Sequence, residues 1–302
     1  MISQIQAANP DTLKRLTRFF SAYAHNIGSS EKVAARINAL YSSGRDEFYA
    51  LCEAEQILAL VHLRSRTNLD HFSAYTELVA IFIHPSCELE ALAPLVIADI
   101  TALAKQRGSC GLWIAFPQTD PSVQERLFIN NGIAANGVLL AKELDASCIP
   151  PASEKGSRLT IRPARHEDAD ILARLMLNLD TPGISPGDLC RQMDSIGSYD
   201  SDAFIVCEDE GEPCGLCYYR DRYDFLSDET FGEIVLLSVD ANKQGRGIGK
   251  ALLQHGERLA FQRKCRQMWI CSGNNEREFD SHTFYSYLGY RQIGHKLEHI
   301  FR

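Results

Sequence analysis

The stretch "GEIVLLSVDANKQGRGIGKALL", residues 232–253, runs from an apolar segment through three glycines into a segment with a helical pattern. A strand feeding a helix in this way leaves about four N–H groups of the first helical turn without intrahelical partners. At Gly245, Gly247 and Gly249 no Cβ blocks the main chain, so an anion can approach it where the aligned peptide dipoles favour negative charge. Arg246 and Lys250 add positive charge on the same side. The stretch is expected to grip a pyrophosphate.

Two familiar phosphate-binding patterns do not fit. A P-loop needs GxxxxGK[ST], whereas Gly245 to Gly249 is one residue short and Lys250 is followed by Ala251. A dinucleotide fingerprint needs GxGxxG, and "GRGIGK" misplaces the third glycine. The pattern Gln/Arg-x-x-Gly-x-Gly/Ala is met by Gln244, Gly247 and Gly249.

Outward from this turn, the chain of 302 residues is long for one hydrophobic core, so two domains are expected. Its 45% apolar and 23% charged residues are those of a soluble globular protein, and a formal charge of -8 without any Lys/Arg block argues against nucleic-acid binding. No apolar run approaches the roughly 18 residues of a membrane span, and "MISQIQAANPDTLKR" lacks a secretory core, so a cytoplasmic location without membrane contact is expected. The ten cysteines read as buried thiols of a reducing compartment. Cys214 and Cys217 have CxxC spacing, but they supply half of a zinc site and in a strand would point to opposite faces, so no metal is expected.

A break falls at "DASCIPPASEKGS", residues 145–157, giving a first domain over 1–148, a linker over 149–157 and a second domain over 158–302. The first repeats the second. Glu77 in "TELVAIFIHP" precedes Glu233 by 156 residues, and Trp113 in "GLWIAF" precedes Trp269 in "QMWICS" by the same interval. Agreement in order, spacing and residue type points to duplication. The copies diverge at the chemistry: opposite "QGRGIGKALL" stands "ELEALAPLVI", with Glu88 at Gln244 and Pro94 at Lys250. With a one-residue deletion Phe128 meets Tyr285, keeping the ring and losing the proton it could donate. The first copy is expected to be catalytically silent.

Together the strand, the glycine motif, the long helix, the next strand and "SHTFYSYLGY" resemble the GCN5-related N-acetyltransferase (GNAT) superfamily over nearly all of residues 158–302. The first half resembles the same fold without its cofactor signature. The resemblance implies a mixed α/β protein of two tandem GNAT-like domains, each a central, mostly antiparallel mixed sheet flanked by helices with a splayed parallel strand pair. It implies acetyl-CoA as donor, with its pyrophosphate over the amides of Gln244, Gly245, Arg246, Gly247, Ile248, Gly249 and Lys250 and its pantetheine along the strand through Leu237 and Val239. The amide of Val239 matches the group that polarises the thioester carbonyl. In "CSGNNER", Asn274 or Asn275 could cap the following helix or bond the pantetheine arm.

Acetyl transfer needs a neutral amine, and a lysine-like amine with a pKa near 10.4 costs roughly 4.6 kcal/mol to deprotonate at pH 7. Glu233 matches the family's base, acting through water, provided that burial raises its pKa; otherwise it would attract and orient the ammonium. Tyr285 matches the acid that protonates the departing thiolate, and could also be a core aromatic beside Phe284 and Tyr287. Direct attack is preferred, because neither Cys271 nor His282 forms a convincing Cys/His pair. The acidic run "DRYDFLSDETFGE", residues 221–233, would attract a cationic amine or merely keep a loop solvated. The expected function is N-acetyl transfer to a cationic small-molecule amine by a monomeric or homodimeric bacterial protein. The alternatives are a protein lysine or N-terminal acetyltransferase, and a non-enzymatic acyl-CoA-binding protein.

Overall fold

A computed structural model describes residues 1–4, 10–22, 30–41, 46–67, 74–117, 127–146, 158–179, 184–197, 201–224, 228–273 and 276–301. The expected linker at 149–157, and both Asn274 and Asn275, lie outside the described residues. The first half carries β1 (Ser3–Gln4), α1 (Pro10–Ser21), α2 (Ser30–Tyr41), β2 (Asp46–Glu53), β3 (Gln56–Thr67), β4 (Ala74–Ile83), α3 (Leu89–Gln106), β5 (Gly111–Pro117) and β6 (Ala134–Glu143). The second carries β7 (Leu159–Pro163), α4 (Ala169–Met176), α5 (Pro186–Gly197), β8 (Asp202–Asp209), β9 (Glu212–Asp224), β10 (Glu229–Val239), α6 (Ile248–Gln262), β11 (Gln267–Gly273), α7 (Glu276–Tyr287) and β12 (Arg291–Ile300).

The strands form one sheet in the order β1-β2-β3-β4-β5-β12-β6-β11-β10-β9-β8-β7. Duplication is visible in its register. β4 runs parallel to β5 where Thr76–Leu78 faces Leu112–Ile114, and β10 runs parallel to β11 where Gly232–Ile234 faces Met268–Ile270, each pair displaced by 156 residues. Beyond Ile234 the two strands continue unpaired with each other to Val239 and Gly273, so they part into a cleft. A bulge at Val235, between Ile234 and Leu236, turns β10 as it leaves β11.

The closing strands are exchanged. β6 does not return to β5 but lies between β12 and β11, while β12 lies between β5 and β6. Seven residue pairs join β12 to β5 and seven join β11 to β6, so each copy's sheet is completed by the other copy's last strand. Side chains seal the exchange: Lys142 on β6 donates to the buried Glu257 of α6 at 2.9 Å, and the Tyr290 hydroxyl donates to the same carboxylate oxygen at 2.9 Å.

Helix α6 buries Ile248, Leu252, Leu253, Gly256, Glu257 and Ala260, a spacing of three to four residues that makes one face. It lies close on the sheet because glycines leave room. A Cβ on Gly215 would stand 2.8 Å from Ile248 Cγ2, and one on Gly256 2.8 Å from Ile234 Cδ1. On the other face α4 and α5 cover Phe204, Val206, Leu216, Tyr218 and Leu236, as α1 and α2 cover Phe48, Ala50 and Leu60 in the first half.

Residues 1–148 alone would hold β5 without β12 and leave both edges of β6 unpaired. Expressed alone, this fragment is expected to lack a cooperative thermal transition by circular dichroism, and co-expression with residues 149–302 is expected to restore one.

Candidate active site

The connection between β10 and α6 is built for an open main-chain surface. Asp240 accepts from the Asn242 amide at 2.8 Å, a short 3-10 turn spans Ala241–Lys243, and Gly245 and Gly247 take φ of 76° and 82°. Side chains rarely adopt such angles. A Cβ on either glycine would meet nothing within 4 Å, so the glycines serve backbone shape and leave the space above them clear. Gly247 opens α6 in the left-handed conformation, and Ile248 anchors the helix in the core. Lys243 and Arg246 each stand 3.6 Å from Asp209, which also binds Arg158, so basic groups are gathered beside the loop. In the first half the turn begins alike, with Ser86 N donating to His84 Nδ1 and Cys87 N to the His84 carbonyl as Asn242 N and Lys243 N donate to Asp240, but no glycine follows it. Glu88 and Glu90 place negative charge at the start of α3.

The cleft wall is β10 beyond its bulge. The Asp240 amide donates to Cys214 O on β9 at 2.9 Å. Main-chain groups alternate along a strand, so those of Leu237 and Val239 face away from β9, into the opening. Two contacts pin this wall to α4 and the residues after it: Ser238 Oγ donates to Leu175 O at 2.6 Å, and Asn178 Nδ2 donates to Val239 O at 3.3 Å. Neither Asn178 nor Ser238 carried a signal in the sequence, because each matters through a contact more than sixty residues away in the chain. Helix α7 packs against β11 and reaches the start of α6. Its Phe284 ring and Val239 flank Gly249, where a Cβ would lie 3.5 Å and 3.7 Å from them. Tyr285 is buried in the same core cluster as Leu237 and Val239, with its ring 6.0 Å from that of Tyr290, whereas Tyr287 is exposed and belongs to no core. The turn after Tyr285 matches the turn after Phe128: Tyr290 N bonds to Tyr285 O and Ile133 N to Phe128 O, both at 3.1 Å.

Glu233 sits where β10 and β11 still pair, in a buried ion cluster. Its Oε2 accepts from Arg220 Nε at 2.5 Å, and its Oε1 lies 3.4 Å from Arg222 Nη1. The other arm of Arg222 crosses to Glu77 of the first half, which Arg66 also binds at 2.7 Å. Arg222 lies 5.6 Å and 5.5 Å from the ring centres of Trp113 and Trp269. Asp46 binds His62 at 2.6 Å and Arg64 at 2.7 Å. Burial opposes the charge on Glu233, but Arg220 and Arg222 outweigh it and hold the carboxyl below its usual range. The condition set for a general base, a pKa raised by burial, is therefore corrected: the paired guanidinium groups reverse its direction.

The model of the acetyltransferase (GNAT) family matches residues 176–290, from the end of α4 through the glycine loop to Tyr290. The second half thus carries a domain that matches the GNAT family. Among curated proteins, a mycothiol acetyltransferase of Actinosynnema mirum is 29% identical over 110 residues, 36% of each chain. One of Amycolatopsis mediterranei is 23% identical over 231 residues, 74% of each. The match thus spans about a third of the first relative and three quarters of the second. Among solved structures, a GCN5-related N-acetyltransferase from Sphaerobacter thermophilus has a TM-score of 0.61 at 15% identity, covering 99% of this chain and 95% of that one. A tandem GNAT protein from the clavulanic acid biosynthesis pathway has a TM-score of 0.58 at 9% identity, covering 99% and 98%. At these identities the likeness to the solved structures is one of fold.

Two further expectations change. The acidic run at 221–233 is largely neutralised: Asp221 pairs with Arg263 at 3.2 Å, Asp228 with Arg36 at 2.5 Å and Glu229 with Arg266 at 2.7 Å. It also leads into the end of β10 remote from the glycine loop, so it is not a lure for a cation at the cleft. Cys214 and Cys217 share one face, because a β8–β9 irregularity at Cys207/Glu208 makes Cys214 an extra residue and turns it into the same core as Cys217. Burial pushes the Cys217 and Cys271 thiols up to about 12, which leaves them poor nucleophiles at neutral pH.

The cluster makes stability depend on pH. Burial opposes ionisation of Asp46, but its His62 and Arg64 partners hold its pKa at about 2 against an ordinary 3.8, and Glu77 and Glu233 are lowered in the same sense. Stability from lowered carboxyls is present above their unfolded pKa and lost as pH falls through the folded value. His62, kept neutral by burial, adds a loss beginning below its ordinary 6.5. Thermal scans are expected to show a melting temperature that declines gently below about 6.5 and steeply below about 4. Glu233→Gln is expected to cost on the order of 3–5 kcal/mol in urea unfolding, because it leaves buried arginines uncompensated.

Proposed function

We propose that this protein transfers an acetyl group from acetyl-CoA to a primary amine of low molecular weight, in the cleft between β10 and β11. One observation carries the reading: both copies splay the same strand pair, and the glycine loop that leaves main-chain amides open stands at the second alone. A diphosphate over residues 244–250 would align the pantetheine with the cleft-facing groups of Leu237 and Val239. Asn275 is proposed to bond the pantetheine arm.

In this reading the amine attacks the thioester carbonyl directly. The carbonyl oxygen gains charge that the Val239 N–H stabilises, a role in which one donor is worth about 3 to 4 kcal/mol. The carbon–sulfur bond then breaks, Tyr285 gives its proton to the sulfur, and the proton left on the product nitrogen returns to Tyr285 through solvent. Glu233 holds the strand and is not assigned the proton-accepting role. A site without a poised base favours an amine already partly neutral: one with a pKa near 8 costs about 1.4 kcal/mol to deprotonate at pH 7, against roughly 4.6 for a lysine-like amine. With the acidic run engaged by arginines, the acceptor is chosen by its free-base fraction and shape more than by its positive charge. The curated relatives are named mycothiol acetyltransferases, which supports testing low-molecular-weight acceptors first.

The test is release of free CoA thiol with a panel of amines ranked by pKa. Turnover is expected to be highest for weakly basic primary amines, and a panel without any turnover overturns the enzyme reading in favour of acyl-CoA binding alone. Gly247→Val forces a branched side chain into a left-handed position and is expected to weaken acetyl-CoA binding at least about tenfold by calorimetry, with the fold retained. Tyr285→Phe is expected to slow single turnover about a hundredfold while sparing acetyl-CoA affinity.

A further inference from the structure

The ion cluster is symmetric in its residues and asymmetric in its bonds. Asp46, Arg64, Arg66 and Glu77 recur 156 residues later as Asp202, Arg220, Arg222 and Glu233. Arg64 faces Glu77 across the β3–β4 ladder as Arg220 faces Glu233 across β9–β10. Arg66 stays within its own half on Glu77, whereas Arg222 divides itself between Glu233 and Glu77. Glu77 therefore draws one arm of Arg222 away, and the remaining arm meets Glu233 at 3.4 Å. Glu233 is one residue before Ile234, where the β10–β11 ladder ends, and two before the bulge at Val235. Whatever fixes Glu233 fixes the angle at which β10 departs and the aim of the Leu237 and Val239 amides.

We propose that Glu77, from the half without a glycine loop, is a positioning residue for the cleft of the other half: through Arg222 it holds Glu233 and thereby sets the splay of β10 from β11. The copy that does not grip a diphosphate then contributes a part to the working site. Only the kinetic consequence of this proposal rests on the acetyl-transfer reading above.

The test compares the full-length protein with Glu77→Gln, Glu77→Asp and the exposed control Glu88→Gln. The chain's two tryptophans both flank Arg222, so their emission reports directly whether the clamp has opened. Hydrogen exchange by mass spectrometry reads the strand. Glu77→Gln is expected to shift the emission and speed exchange at residues 235–239 while β6 and β11 keep their protection. Glu77→Asp, which keeps the charge, and Glu88→Gln are expected to stay near wild type. In turnover, Glu77→Gln is expected to lower kcat by about tenfold to a hundredfold with the KM for acetyl-CoA unchanged, the pattern of a misaimed site. If Glu77→Gln does not fold, Arg66→Gln takes its place: Arg222 then engages both Glu77 oxygens and releases Glu233, with the same local rise in exchange. An unchanged emission, unaltered exchange at 235–239, a rise spread equally over β6 and β11, or an opened clamp with undiminished kcat each overturns the proposal. A wild-type protein that acetylates no amine sinks the acetyl-transfer reading, while the exchange experiment still decides the role of Glu77.

Discussion

The guanidinium of Arg222, buried between two carboxylates and two indoles, is the point through which the halves are fitted together. Isolated, such a charge would be costly to remove from water; paired on both arms and flanked by aromatic faces, it is tolerated. Duplication supplied the balance: each copy contributes two arginines and two acids, so four positive charges meet four negative ones. The contact also constrains the sheet. β4 and β10 are separated by four strands in the sheet order, yet side chains on their neighbourhoods touch, so the sheet curls until its two splayed pairs confront each other.

Against that symmetry, the copies have separated at the places where a ligand would be held. The parallel ladder, the parting of strands and the glycine-capped turn before the closing strand are kept in both. The loop is not. Glycines at positive φ shape the main chain at the start of α6, while at α3 no glycine stands there and acids crowd the helix start. A framework set by register and core packing survives such a change, because nothing in the ladder depends on the loop.

What could be read from the amino acids follows the range of the interactions. The strand–loop–helix, the interval of 156 residues and the opposition of Tyr285 and Phe128 are local patterns repeated in step, and they reappear in the ladders and turns. The exchange of β6 and β12 could not be read, since each has the alternation to fit beside either β5 or β11. The state of Glu233 was hidden for a related reason: its arginines are near in sequence, but their sharing with Glu77 spans 145 residues. Facing of the CxxC pair depended on one irregular residue in a hairpin, and the acidic run lost its meaning once Arg36, Arg263 and Arg266 were found beside it.

The interleaved closing strands bear on how such a duplication is inherited. In a protein whose halves were joined by a tether alone, the copy that lost its ligand could be deleted and the other would remain whole. Here each copy borrows a strand, so loss of either half would leave the other with an open seam. Selection acting on one half thus preserves both genetic halves, and each copy is free to drift at its loop but not along its borders.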